Sequence, residues 1–449
     1  MSKSNIPSYI AEAQANPQSN RAAWFKNTAP TYAGVFLWFA FWNTIMQTVY
    51  FEKGLSEGIA LPIIGVIAAA LISHFLFFLA PALYGMKTGK NLYVIGSSSF
   101  GAKLAVIMPG LLMGVLQFGW LAVNVFLSSK LLAGTLTSMP EWLIMAVFGL
   151  GATFVGLKGI QYVAKISTFL PLIPLGILIY LLVKTLPTLG DFDPATLQIA
   201  SEAVAPSSFG AFALLVACVL GYFATAGAAG VDIGTAARDK KDIQLGGLVG
   251  ITGVITIVAG LSILILAGAC GNPEVVKALN AMDKNNDVFV NVLMCALVGD
   301  GLGKILMFAL AFAAFAGGCF SAFIGVNSFR TMMPKISPYA SAFAGGAVSV
   351  ALAITGVAAN AIGVFQIVGA SFGPICGAMT AEYLLHKGEW AGSRKGVNMA
   401  GLLAWAFGFG VGVLPNFGIA VPMATLLAYL IGFAVYYVAG KAGMESPKL

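Results

Sequence analysis

Gln117 and Trp120 sit three residues apart in "GVLQFGWLAVN", from Gly114 to Asn124. Residues i and i+3 of a helix point the same way, so an amide and an indole would share one face. Together they could grip a flat polar ring. The indole supplies a stacking surface, and the amide supplies both an acceptor oxygen and donor hydrogens. The surrounding run is apolar enough to lie in a bilayer. An amide there costs about 1–3 kcal/mol unless it finds a partner. Two readings stand: the amide bonds a neighbouring helix and the indole is packing, or both face a ligand. The segment "TYAGVFLWFAFWNTIMQTVYF" poses the same question, with Asn43, Thr44 and Gln47 on one helical face. That face must look into protein or a cavity rather than lipid.

The titratable groups in apolar runs are few. His74 lies near the middle of one run and Lys165 near the end of another. Either could carry a proton. The plainer readings are a histidine bonded between helices and a lysine reaching out to the surface. The five cysteines (Cys218, Cys270, Cys295, Cys319, Cys376) have no metal-ligand spacing and read as buried apolar residues, so no metal and no cofactor are expected. No P-loop, metal motif or nucleophile triad occurs, so no enzyme is expected.

The elements that must hold these residues follow from composition. Of 449 residues, 59% are hydrophobic and 9% charged. A soluble chain carries roughly 25% charged residues. The chain therefore reads as an all-α integral membrane protein. Crossing the hydrocarbon takes about 20 apolar residues. Twelve runs qualify: 29–51, 59–84, 102–132, 140–157, 159–183, 209–230, 244–270, 302–326, 338–357, 361–386, 397–414 and 418–440. With the N-terminus inside, all but six of the 24 Lys and Arg (Lys53, Lys130, Lys184, Lys277, Lys284 and Lys304) fall on the cytoplasmic side. This predicts a multi-pass protein of the inner (plasma) membrane with both termini cytoplasmic. The net charge of +7 is then a matter of topology and lipid contact, not of nucleic acid. Residues 1–28 and 441–449 read as polar tails, 184–208 as an outer loop, and 271–301 as a loop holding an amphipathic helix. No soluble domain and no obligate protein partner are evident.

Membrane transporters bind substrate where helices unwind at mid-membrane. In the sixth run, Gly221, Gly227 and Gly230 cluster around Tyr222, Phe223 and Thr225. Such spacing permits a break; it equally permits close helix packing. The pair Gly317-Gly318 in the eighth run is open to the same two readings.

Several stretches resemble nucleobase:cation symporter family 1, which includes cytosine, purine and hydantoin permeases. "FGAKLAVIMPGLLMGVLQFGWLAVN" is similar to its third-helix segment, and "GYFATAGAAGVDIGTAARDKKD" to its sixth. "GASFGPICGAMTAEYLLHKGEW" is similar to its tenth, and "SSSFGAK" to the loop entering the third. The resemblance implies a leucine-transporter-like fold of twelve transmembrane helices. Two five-helix repeats (29–183 and 209–386) are inverted, and two helices follow (387–440). It implies alternating access around a heterocycle held by Gln117, Trp120, Gly221, Tyr222, Phe223, Thr225 and Ala226; the polar face of the first helix adds Asn43 and Thr44 as candidates. The family's sodium site would fall at Ala40, Asn43, Gly317 and Gly318. Glycines stand there in place of hydroxyls, which counts against sodium and leaves the coupling cation as a proton or sodium. Tyr222 replaces the family's serine or tryptophan, and the eighth run has no asparagine before Asn327, so cytosine itself is not specified. The competing reading is an amino acid or other small solute. An amino-acid carrier should have a glycine-rich break in the first helix to bind the carboxylate, and "LWFAFWNTIMQ" has no glycine, which counts against an amino acid.

Overall fold

The computed structural model describes residues 6–135, 138–159, 169–195, 207–283 and 287–449. Its regular structure is helical, because backbone polar groups in a bilayer must be satisfied within the segment. Among the described residues, nine helices are long and apolar enough to cross a membrane. The protein is thus a multi-pass membrane protein.

The first predicted span is two helices, α1 (Thr28–Leu37) and α2 (Phe39–Phe51). They are followed by α3 (Ala60–Thr88), a short α4 (Leu92–Phe100), α5 (Leu104–Ala133), α6 (Glu141–Lys158) and α7 (Leu172–Thr185). The sixth span is α8 (Ser208–Ala228) with the short α9 (Gly230–Gly234), and α10 is Lys240–Cys270. The loop 271–301 holds α11 (Pro273–Asn280) and α12 (Phe289–Val298). Next come α13 (Asp300–Met332), α14 (Pro338–Ile354), α15 (Ala361–Leu385), α16 (Met399–Gly412) and α17 (Ala424–Lys441).

Small residues decide how these helices approach. On α15, Gly369, Gly373 and Gly377 recur every four residues and therefore share a face. Gly369 meets the Thr425 hydroxyl and Gly377 the Tyr429 carbonyl of α17. This is the small-xxx-small mode of membrane packing. The α5–α13 pair is antiparallel, held at one end by Ser328 Oγ donating to the Gly110 carbonyl (2.6 Å). At the other end Asn124 Nδ2 donates to the Ala314 carbonyl (3.0 Å). Against α3, the sixth span runs parallel: Gly65 faces Phe212, Gly227 faces Phe77, and Gly234 meets the Ala82 carbonyl.

Two departures from the sequence reading matter for the site. Residues 6–27 do not form a free tail. Asn16 N–H donates to the Gly89 carbonyl (2.8 Å), Arg21 Nη1 to the Met86 carbonyl (2.8 Å) and Ala22 N–H to the Ala236 carbonyl (2.8 Å). Asn27 Nδ2 donates to the Ile233 carbonyl (3.0 Å). The segment is thereby laced across the ends of α3 and α9. At the opposite end of the bundle, α12 does not merely lie on the surface. Its Phe289 and Val290 are fully buried, and Tyr50 Oη donates to Asn280 Oδ1 of α11 (2.8 Å).

Candidate substrate cavity

The first span breaks at Trp38, whose φ/ψ of −57°/127° leaves the helix for one residue. That conformation is open to any L-residue, so no glycine is needed. The glycine argument against an amino-acid cargo therefore loses its basis. The sixth span is interrupted at Ala229, between Gly227 and Gly230 of the glycine cluster. The glycines of that cluster are also points of close helix contact. A Cβ on Gly221 would sit 3.0 Å from the Phe365 carbonyl oxygen, and one on Gly230 would sit 2.8 Å from the Phe78 ring.

Between α1, α5, the sixth span and α13 lies a cavity of about 1060 Å³. It reaches the surface beside the exposed residues Lys26, Asp232 and Arg330. Its inner end is aromatic. The Trp120 ring lies 4.9 Å from Tyr222 (73°), 4.8 Å from Phe365 (32°) and 5.9 Å from Trp38 (64°). The Gln117 side chain opens on the same space. Its described hydrogen bond is a long contact from Nε2 to Met113 Sδ, 3.7 Å, so most of the amide's capacity is unused.

Of the residues expected to hold substrate, Gln117, Trp120, Tyr222, Thr225 and Ala226 line this cavity together. Four others do not. Gly221 packs on α15. Phe223 is fully buried, stacked on Phe36 at 5.8 Å and 22°. Asn43 Oδ1 accepts from the Val290 N–H at the start of α12 (3.0 Å), tying the first span to the far end of the bundle. Thr44 Oγ1 donates to the Ala40 carbonyl (2.7 Å).

The ion-site residues scatter likewise. Gly317 lines the cavity, close to Asn124 Nδ2 and the Trp38 ring. Gly318 faces Ala152 and Leu121, where α13 packs on α6 and α5. Ala40 is fully buried, and its carbonyl accepts from Thr44. His74 is buried against Gly247 and the Phe75 and Phe78 rings, outside the cavity wall. Lys165 lies outside the described residues.

Trp38, Ser321 and Asn327 also line the wall. Trp38 stands at the break, and its indole N–H is buried without a hydrogen-bond partner. Its signal was a tryptophan in the polar-faced first span, but its place depends on the break. Ser321 supplies a hydroxyl one turn beyond Gly317, and Asn327 lies nearer the mouth.

Among the described residues one group could in principle ligate a metal: Glu382, His386 and Glu445. It lies away from the cavity. The Arg394 guanidinium already fills it, with Nη2 2.7 Å from Glu445 Oε2 and 3.2 Å from His386 Nε2.

A broken first helix, an interrupted sixth and a cavity between them and α5 and α13 define an architecture shared with solved membrane transporters. One of these is Mhp1, a nucleobase-cation-symport-1 family transporter, in a closed conformation with bromovinylhydantoin bound. The similarity has a TM-score of 0.60 at 14% identity and covers 98% of this chain and 96% of that one. The inward facing conformation of Mhp1 gives 0.62 at 15% identity, over 96% and 95% of the chains. A Na+-coupled sialic acid symporter in a substrate-bound outward-open state gives 0.62 at 13%, over 98% and 93%. Identities this low establish a common fold. No known family's profile matches the sequence, and no curated protein matches it.

Proposed function

We propose that this protein is a secondary active transporter akin to nucleobase:cation symporter family 1. It imports a flat nitrogen heterocycle of the cytosine, purine, hydantoin or allantoin class by alternating access. The proposal includes twelve crossings, two inverted five-helix repeats with two further helices, and cytoplasmic termini in the inner membrane. The observation that carries it is the Gln117 amide, largely unused, on the same cavity wall as Trp120. A base–aromatic stack contributes about 1–3 kcal/mol, and the amide can read a ring edge that alternates donors and acceptors. Mhp1, with the same fold, binds a hydantoin.

Coupling is to a proton or to sodium. The α13 wall presents Gly317 beside the Trp38 break, with Ala316 also on the lining and Ser321 the nearest hydroxyl along that helix. Few oxygens are thus offered to sodium, which wants several. Lys165 and His74 remain the proton candidates.

The test is a melting series on purified protein with cytosine, uracil, purines, hydantoins, allantoin and L-amino acids, each in sodium and in potassium. A ligand that binds the folded state stabilises it by RT ln(1 + [L]/Kd). Stabilisation by one flat heterocycle is expected. Stabilisation by amino acids alone would overturn the heterocycle assignment and leave the fold standing. Stabilisation that requires sodium would assign the coupling ion against the glycine argument.

A further inference from the structure

The two interrupted spans are joined by a reciprocal pair of tyrosines. In an uninterrupted helix the Val35 carbonyl would accept from the Phe39 N–H. The break at Trp38 removes that donor, and Tyr222 Oη of the sixth span donates to the Val35 oxygen instead (2.8 Å). The Ala226 carbonyl would likewise pair with Gly230 across the interruption at Ala229. Tyr32 Oη of α1 donates to it (2.9 Å). Both rings are held firmly: Tyr222 by Phe41 (4.8 Å) and Trp120, Tyr32 by Phe78 (5.3 Å) and Phe223 (5.8 Å). Both lie on the cavity wall.

We propose that Tyr222 and Tyr32 are positioning residues that latch α1 to the sixth span, each hydroxyl capping the carbonyl that the other span's interruption releases. The Tyr222 ring stays available as cavity surface while its hydroxyl belongs to the first span. The latch fixes where α1 ends, and so where Trp38 stands against Gly317. It makes α1 and the sixth span one body on that side of the cavity. This goes beyond the transport reading and holds whichever solute the cavity takes.

The test is hydrogen exchange with peptide resolution on purified, ligand-free protein, comparing wild type with Tyr222→Phe and Tyr32→Phe. A control is Tyr84→Phe, whose buried hydroxyl has no hydrogen-bond partner to lose. The amides at the break border the open cavity, so loosening there is visible. The expected signature crosses between spans. Tyr222→Phe, made in the sixth span, accelerates exchange around residues 38–41 of the first span about tenfold. Tyr32→Phe, made in the first, does the same around residues 229–232. The α5 and α13 peptides and the control are unchanged. Faster exchange confined to the mutated span, spread evenly over all helices, or absent in both variants would overturn the latch. Should one variant fail to fold, the other still decides.

Discussion

Replacing Gln117 by methionine separates the two explanations of this residue. The side chains are of similar volume, so packing should be nearly conserved. The structure gives the amide only the 3.7 Å contact to Met113 Sδ, a weak acceptor, so the variant loses no strong internal bond. The ligand-free protein should therefore melt within about 1 kcal/mol of wild type, and on the stable side if the amide is poorly solvated. Ligand binding should suffer instead. Two hydrogen bonds to a ring edge, each contributing about 0.5–1.5 kcal/mol, put the loss near 2 kcal/mol, roughly a thirtyfold weaker Kd. At a ligand concentration of about 100 times the wild-type Kd, wild type gains about 2.7 kcal/mol and the variant about 0.9 kcal/mol. The assay is the melting temperature with and without the heterocycle found to bind. Equal gains in both proteins would refute the ligand role. A ligand-free variant that has lost about 2 kcal/mol or more would show that Gln117 is a strut between helices.

Other consequences concern the scaffold. Trp120→Phe keeps an aromatic against Tyr222 and Phe365, whereas Trp120→Ala opens a hole worth about 3–5 kcal/mol; melting should rank them in that order, and both should weaken heterocycle binding. Asn43→Ala removes the side-chain acceptor at the start of α12 and should cost about 1 kcal/mol of stability. Its ligand Kd should stay within twofold of wild type, because Asn43 is off the cavity wall. Gly377→Ala drives a methyl into the Tyr429 carbonyl and should cost about 1–3 kcal/mol. Gly410→Ala, with no atom within 4 Å of the added Cβ, should be neutral or slightly stabilising in the same melt.

The membrane spans were legible because the bilayer demands long apolar runs, and that demand is written residue by residue. Gln117 and Trp120 were legible for a related reason: a polar group in such a run requires an explanation, and i, i+3 spacing puts both on one face. The break at Trp38 was not legible. Its backbone conformation suits any residue, and it is held in place by contacts from elsewhere, notably Tyr222 and the α13 wall. The glycines of the sixth span serve both readings: Gly221, Gly227 and Gly230 meet neighbouring side chains and carbonyls at close range, and the interruption at Ala229 falls between Gly227 and Gly230. The lacing of residues 6–27 left no trace in the sequence either, since it runs largely to backbone carbonyls of distant segments. Asn43 shows the limit of face-based reasoning. Its polar face does look into protein, as expected, but toward α12 and not toward the cavity.

The proposed function has the cavity carry a flat heterocycle across the membrane. Counterflow in proteoliposomes tests it most directly. Vesicles are loaded with the unlabelled heterocycle that stabilises the protein and diluted into a trace of the labelled compound. Transient accumulation of label inside is expected, abolished in the Gln117→Met variant at limiting concentration. Binding without any accumulation would contradict it and leave a receptor-like protein in a transporter's fold.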